Sequence, residues 1–316
     1  MSKVLITGST GFIGSRLAVL LREQGWDVWE MVRYVSGGRY AYYQRQNRVF
    51  ADLKDPEMVR LAVAQVKPEV IINLGAESAV AFSFEHPREV QVTNFLGTVD
   101  MAKAALEVGV KHFVQASTSE VYARATVFPI TEDMPLGATS PYAVSKIASE
   151  EIIRVFMHTD HLPATILRPF NTYGRGLIRN PHFVVERAIT QALEEGKIHL
   201  HDPAPWRDFL FREDHVAAYL AVLENWNRAV GEIFNVTTGQ TWQIRQMAEA
   251  VARIVQAQTG RRVEVTFEER PDRPWDIPKL HGSSEKIQKA LGWKPRYDLE
   301  AGLEQAVHEW RMVLSK

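Results

Sequence analysis

Apolar positions along the chain follow two alternating rhythms. Short, mainly apolar runs stand at Val4-Leu5-Ile6, Val28 to Val32, Val49 to Leu53, Val70 to Leu74, His112 to Ala116 and Ala164 to Leu167. Between them the spacing is helical: a run to Gln24, one from Asp55-Pro56 to Lys67-Pro68, one from Pro87 to Val108, and one from Tyr142 to Met157. Strands without polar alternation, separated by helices, predict a parallel sheet covered on both faces. Residues 34 to 47 are aromatic and basic and read as a loop. Past about residue 170 the pattern loosens. Helices are expected at 181–195, Asp214 to Asn225, 243–257, 283–291 and 298–314, with strands at Ile198 to Leu200, Ile233 to Val236 and Val263 to Phe267. The expected organisation is α/β. A doubly wound parallel-sheet domain spans 1–170, with a later segment at about 208–240 returning to it. A smaller α/β substrate-binding lobe is made mainly by 171–316.

Composition narrows the function classes. The net charge of -1 gives no electrostatic footprint for nucleic acid or a membrane surface. No apolar run approaches the ~18 residues of a membrane span, and Met1-Ser2-Lys3 runs into a strand too early for a signal peptide. With no cysteine, disulfides, thiolate nucleophiles and cysteine metal sites are excluded. The expectation is a cytoplasmic protein without a metal. His199-Leu200-His201 puts two imidazoles on one strand face, which reads as a surface strand rather than a metal site.

The first strand runs directly into Gly8-Ser9-Thr10-Gly11-Phe12-Ile13-Gly14 and a helix. Strand, glycine turn and helix start form the context in which glycines let a backbone approach a pyrophosphate at a positive helix terminus. The second strand ends at Val32-Arg33, where an acid would grip the ribose 2′-hydroxyl of NAD. An arginine there suits the 2′-phosphate of NADP. Glu30, close by, keeps NAD open as the alternative. Asp52 is placed to reach an adenine amine or to cap the helix beginning near Asp55. Gly75-Ala76 leaves bare backbone for a cofactor to pack on.

The densest chemistry lies between 114 and 146. The strand ending at Ala116 is followed by Ser117-Thr118-Ser119-Glu120, and a helix begins at Ser140-Pro141-Tyr142-Ala143-Val144-Ser145-Lys146. Tyr142 and Lys146, one turn apart, share a helix face. An ammonium beside a phenol favours the phenolate, giving an acid or base that works near neutral pH. Glu120 stands two residues from Thr118 and is expected on the same strand face.

These residues resemble the extended short-chain dehydrogenase/reductase family, nucleotide-sugar epimerase/dehydratase branch. The likeness is carried by Thr7-Gly8-x-x-Gly11-Phe12-Ile13-Gly14, Asp52-Leu53, Asn73-Leu74-Gly75-Ala76, the Ser117 to Tyr122 run, Ser140-Pro141-Tyr142-x-x-x-Lys146 and Arg168-Pro169-Phe170-Asn171. Arg273-Pro274-Trp275-Asp276-Ile277-Pro278 and Leu291-Gly292-Trp293-Lys294-Pro295 extend it. Within the branch the chain looks similar to GDP-mannose 4,6-dehydratases and to UDP-sugar 4,6-dehydratases.

The resemblance implies a Rossmann fold and an NAD(P)-dependent nucleotide-sugar 4,6-dehydratase. In such an enzyme Tyr142 takes the proton of a sugar 4-hydroxyl while C4 gives up hydride. Lys146 holds the cofactor ribose, Thr118 bonds the same sugar oxygen, Glu120 takes the C5 proton and Ser119 assists loss of the 6-hydroxyl. Return of hydride to C6 leaves a 4-keto-6-deoxy sugar. The cofactor set implied is Gly8, Thr10, Gly11, Phe12, Ile13, Gly14, Arg33, Asp52, Leu53, Leu74, Gly75, Ala76, Ser117 and Pro169, with Tyr142 and Lys146. Ser78, Asn171, Arg207 and Arg273 are the implied contacts to a GDP- or UDP-sugar. The guanidinium pair suits its diphosphate. A homodimer joined through helices 87–108 and 142–158 is implied by the same likeness. A 4-epimerase, a decarboxylase or a 4-keto reductase would use the same scaffold. A non-catalytic dinucleotide sensor is the alternative from another class.

Overall fold

The computed structural model describes residues 2–33, 47–176, 183–268 and 276–314. Seven strands form the main sheet: β1 (Lys3–Thr7), β2 (Asp27–Val32), β3 (Arg48–Phe50), β4 (Val70–Asn73), β5 (His112–Ala116), β6 (Ala164–Pro169) and β7 (Ile233–Val236). Their order is β7-β6-β5-β4-β1-β2-β3. Every register recorded within it is parallel, for example Leu5 against both Trp29 and Ile71. The fully apolar runs lie at the centre, with Leu5, Ile6, Ile71, Ile72, Phe113 and Val114 all inaccessible to solvent. Strand order reverses between β1 and β4, so the carboxyl ends of these two strands open a crevice of the kind in which open α/β sheets bind ligands. The doubly wound parallel sheet expected from the sequence is the observed fold.

Each covering helix starts where local chemistry favours it. Helix α1 (Phe12–Glu23) follows the glycine turn, and α2 (Pro56–Val66) is capped by Asp55, whose carboxylate accepts the amides of Glu57 and Met58. Asp52 does not cap it. Its Oδ1 accepts the Lys54 amide in the preceding turn, 3.0 Å away. Helix α4 (Pro141–Thr159) begins with Ser140 accepting the Ala143 amide and proline in the first turn, which has no amide to leave unsatisfied.

The expected helix from Pro87 to Val108 is one helical run with an internal irregularity. Pro87–Val90 is α-helical, Gln91–Leu96 is a π turn, and α3 (Gly97–Val108) completes it. Such π turns widen a helix by one residue and concentrate at functional sites. Residues 80–85 form a further short helix that the periodicity did not reveal.

The chain divides into two compact units. The first is Met1–Val121, Ser140–Arg168 and Val222–Phe234; the second is Tyr122–Thr139, Pro169–Ala221 and Asn235–Lys316. The segment returning to the first unit is therefore shorter than 208–240, and Tyr122–Thr139 departs from it. The second unit builds its core from helices 184–195, 244–259 and 299–314 around Tyr173, Phe209, Phe211 and Trp310. Its sheets are two-stranded: 197–201 with 264–268, 171–173 with 209–211, and 206–207 with 242–243.

Candidate active site

The glycine turn fits a dinucleotide. Gly8 has φ +65°, and an added Cβ would lie 2.9 Å from the amide nitrogen of Gly75. At Gly14 a Cβ would meet the Gly8 carbonyl oxygen at 2.4 Å. Backbone is thus packed on backbone from β1 to the loop after β4. Gly11 at the start of α1 brings no side-chain cap, and the first turn carries no acid. The buried Ser9 Oγ has no hydrogen-bond partner. A positive helix end without a side-chain cap, beside a hydroxyl unpartnered among the described residues, suits a pyrophosphate. Thr10, Phe12 and Ile13 border the turn half-buried.

A chain of neutral groups ties the strand ends together. The Thr7 hydroxyl accepts the Gly75 amide at 2.9 Å and donates to Asn73 Oδ1 at 2.7 Å. Asn73 Nδ2 donates to Gln115 Oε1 at 2.9 Å, and Gln115 Nε2 donates to the Ala116 carbonyl at 2.9 Å. That same carbonyl accepts Lys146 Nζ at 3.0 Å. Leu53, Leu74 and Ala76 lie beside this chain at the carboxyl ends of β3 and β4.

At the end of β2, Arg33 is exposed, and its Nη1 stands 3.5 Å from Glu77 Oε1. Glu30 is turned to other partners. It is buried in mid-strand, paired with Arg22 at 2.5 Å and Arg48 at 3.7 Å.

Tyr142 and Lys146 lie one turn apart on the buried face of α4. The expected acidification of the phenol by the lysine is not found. Burial pushes Tyr142 well above the ordinary tyrosine range. A hydrogen bond with Thr118 draws it partly back, and the Glu120 carboxylate raises it further. The lysine exerts no comparable pull because its ammonium is turned to the Ala116 carbonyl. Burial pulls Lys146 itself down to about 8, against the opposing effect of Glu150.

The strand-face argument for Glu120 also needs correction. Strand β5 stops at Ala116, and Ser119–Val121 forms a 3₁₀ turn. The acid is placed by that turn, with the Glu120 amide donating to Thr118 Oγ1 at 3.2 Å. Two residues in a tight turn do not alternate faces as strand residues do. Ser119 in the same turn is buried. Ser117 donates its hydroxyl to Glu150, which in turn receives Arg168 Nε at 2.9 Å.

The sequence missed one bracing residue. Asn94, buried in the π turn, accepts the Glu77 amide at 2.8 Å and donates to the Glu77 carbonyl at 3.0 Å. Its Nδ2 also donates to Ser145 Oγ on α4 at 3.0 Å. It thereby anchors the loop that carries exposed Ser78. A polar residue on a buried helix face was the available signal, but the π geometry that points it there leaves no mark in the spacing.

In the second unit, Asn171 Oδ1 is buried without a hydrogen-bond partner. Arg207 is tied down. Its guanidinium donates to Asp276 Oδ1 at 2.9 Å, the Ile277 carbonyl at 2.6 Å and the Trp206 carbonyl at 3.0 Å. Its ionic partner is thus Asp276, not flanking Asp208, whose carboxylate accepts Thr237, Thr238 and Gly239. Pro169 closes β6. Arg273 lies outside the described residues. His199 and His201 lie 3.7 and 3.4 Å from the Glu268 carboxylate. Among the described residues no cluster of three or more metal-ligating side chains occurs, and no helix is long and apolar enough to cross a membrane.

Residues 5–306 match the family model described as GDP-mannose 4,6 dehydratase. The chain is 31% identical to UDP-glucose 4-epimerase of Mycolicibacterium smegmatis, covering 98% of each chain. It is 30% identical to dTDP-D-glucose 4,6-dehydratase of Mus musculus, covering 98% of this chain and 88% of that one. Among solved structures it superposes on Thermus thermophilus UDP-glucose 4-epimerase, complexed with NAD, with a TM-score of 0.87 at 28% identity over 98% of this chain and 99% of the other. With the glycine turn, the Thr118–Glu120 turn and the Tyr142–Lys146 pair on one α/β sheet, the chain belongs to the extended short-chain dehydrogenases/reductases, in their nucleotide-sugar epimerase/dehydratase branch.

Proposed function

We propose that this protein is a nucleotide-sugar 4,6-dehydratase working with a resident nicotinamide dinucleotide. The observation that carries the reading is Glu120. Its amide is bonded to the Thr118 hydroxyl, and its carboxylate acts electrostatically on Tyr142. A phenol, a hydroxyl and an acid so grouped serve two proton transfers at neighbouring carbons: one from a sugar hydroxyl and one from the carbon made acidic by the new ketone.

The dinucleotide supplies reversible hydride acceptance at C4 and return at C6. Gly8, Thr10, Gly11, Phe12, Ile13 and Gly14 would hold its pyrophosphate, Lys146 the nicotinamide ribose, and Arg33 a 2′-phosphate, which favours NADP over NAD. Tyr142 exchanges the proton of the 4-hydroxyl, Thr118 orients that oxygen, Glu120 takes the C5 proton, and Ser119 helps the 6-hydroxyl depart. Ser78 and the unpartnered Asn171 oxygen are the polar contacts assigned to the substrate. Arg207 and Arg273 remain the cations proposed for its diphosphate.

The likeness to UDP-glucose 4-epimerases favours a second reading, in which the C4 hydride returns to the opposite face of the same carbon. Incubation with GDP-mannose, UDP-GlcNAc, UDP-glucose, dTDP-glucose and UDP-glucuronate, with products read by mass spectrometry and chromatography, separates the two. Loss of one water from a single sugar nucleotide, without added cofactor, supports the dehydratase. An isomer of unchanged mass supports the epimerase, and consumption of added NADPH overturns both.

A homodimer is proposed through the helices on either side of Asn94. Val144 and Val155 of α4, three turns apart on one face, and Leu96 are about half exposed. A nucleotide substrate and a chain without cysteine fit a cytoplasmic setting.

A further inference from the structure

Tyr142, Lys146 and Glu150 follow one another at four-residue intervals on the buried face of α4. The last of them has no obvious part in the chemistry, yet it is completely buried, as is Arg168 of β6. Arg168 Nε lies 2.9 and 3.1 Å from the two Glu150 oxygens, and Nη2 is 2.5 Å from Oε2. Ser117, just past the end of β5, donates its hydroxyl to Oε1. A buried pair of this kind is a poor stabiliser compared with apolar packing, so its presence under the reactive face asks for another reason.

We infer that the Glu150–Arg168 pair sets the charge of Lys146. Glu150 is a positioning residue whose carboxyl group, fixed by Arg168 and Ser117 one turn along the helix, keeps the lysine protonated for binding the cofactor ribose. The inference rests on the function proposed above.

Among the described residues, Tyr142 and Glu150 accompany Lys146 on its own helix, Glu120 in the turn after β5 acts on Tyr142, and Arg168 of β6 is bound to Glu150. Strand β5 contributes the Ala116 carbonyl, and the π turn packed on α4 contributes neutral Asn94. A lysine this deeply buried tends to lose its proton. Burial pulls it to about 8, and Glu150 is the charge that opposes the fall. Arg168 offsets the cost of burying Glu150, and the carboxyl group acts on Lys146 one turn away along the helix.

The test uses Glu150→Gln and the double variant Glu150→Gln/Arg168→Met, which avoids stranding a buried guanidinium. Dinucleotide affinity is measured by calorimetry between about pH 6 and 9, with melting temperature recorded at each pH. The expected result is an alkaline loss of affinity beginning about one pH unit earlier than in the wild type. At pH 8 this weakens binding roughly fivefold or more, while at pH 6 binding is nearly unchanged. A folded double variant whose pH profile superimposes on the wild type overturns the inference. If neither variant folds, the wild type decides through carbon-13 spectra of glutamate carboxyl and lysine ε positions. A Lys146 titration near 8 that is felt at the Glu150 carboxyl carbon upholds it; a Lys146 titration that leaves that carbon unmoved, or Lys146 in the ordinary lysine range, overturns it. Lys146→Met separates this failure from that of the parent reading. Wild-type affinity in Lys146→Met removes the ribose role altogether, whereas weakened affinity there beside an unshifted double variant removes only the part given to Glu150.

Discussion

The backbone amide of Glu120 donates to the hydroxyl of Thr118 across 3.2 Å, binding the acid to the residue proposed to orient the sugar oxygen. One turn therefore fixes both groups relative to Tyr142. Glu120→Gln leaves the turn and its hydrogen bond intact while removing the base. The expected outcome is loss of the dehydrated product by roughly 10²-fold or more, with reduced cofactor accumulating in the absorbance spectrum because oxidation at C4 still proceeds. Unchanged product yield would exclude Glu120 as the C5 base.

Tyr142→Phe keeps the ring and deletes the hydroxyl. Turnover should fall roughly 10²- to 10⁴-fold, the usual worth of a positioned acid or base. Affinity for the dinucleotide should stay close to wild type, as measured by calorimetry.

Gly14→Ala places a methyl 2.4 Å from the Gly8 carbonyl, a contact that backbone cannot yield cheaply. The helix must move off the turn. Overpacking of this kind costs about 1–3 kcal/mol, read as a lower denaturant midpoint, with dinucleotide binding lost alongside it.

Arg33→Ala tests the cofactor. Among the described residues its guanidinium, at the end of β2, forms a 3.5 Å ion pair with Glu77. Binding of NADP should weaken roughly ten- to a hundredfold, as befits a charge-assisted contact of roughly 1.5–3 kcal/mol. NAD binding should be unaffected; equal losses for both would place Arg33 elsewhere.

Acid stability should depend on His112. It is buried with Nε2 2.8 Å from the Thr165 hydroxyl, and burial lowers its pKa to about 4. As pH falls below about 6.5 the unfolded chain takes up a proton that the folded one refuses, so the contribution is complete above 6.5 and declines down to about 4. The loss attributable to this group is about 3 kcal/mol. His215, lowered to about 3 by burial, extends the decline further into acid. Denaturant titrations at successive pH values measure the slope, and His112→Gln should flatten it between 6.5 and 4.

The sheet was legible because its central strands carry adjacent apolar residues, as in Ile71-Ile72 and Phe113-Val114, where a half-exposed strand would alternate. The turn from Gly8 to Gly14 was legible because close backbone contact demands glycine there. Other features leave weaker traces. Strands 171–173, 206–207, 209–211 and 242–243 are too short for any periodicity to register. Asp52 and Asp55 are equally good caps on paper, and only the geometry of the turn selects Asp55. The lysine at i+4 from a tyrosine suggested an acidified phenol, but a carbonyl at the end of β5 competes for the ammonium, and spacing along one helix cannot show that. Arg207 likewise meets Asp276, nearly seventy positions away in the chain.

The run of amides and hydroxyls from Gly75 through Thr7, Asn73 and Gln115 to Ala116 has a mechanical consequence. Because β1, β4 and β5 are laced side chain to side chain at one end, none of their tips can fray alone. In heavy water the amides at that rim should retain their protons as long as the sheet's middle does, although strand ends elsewhere exchange early.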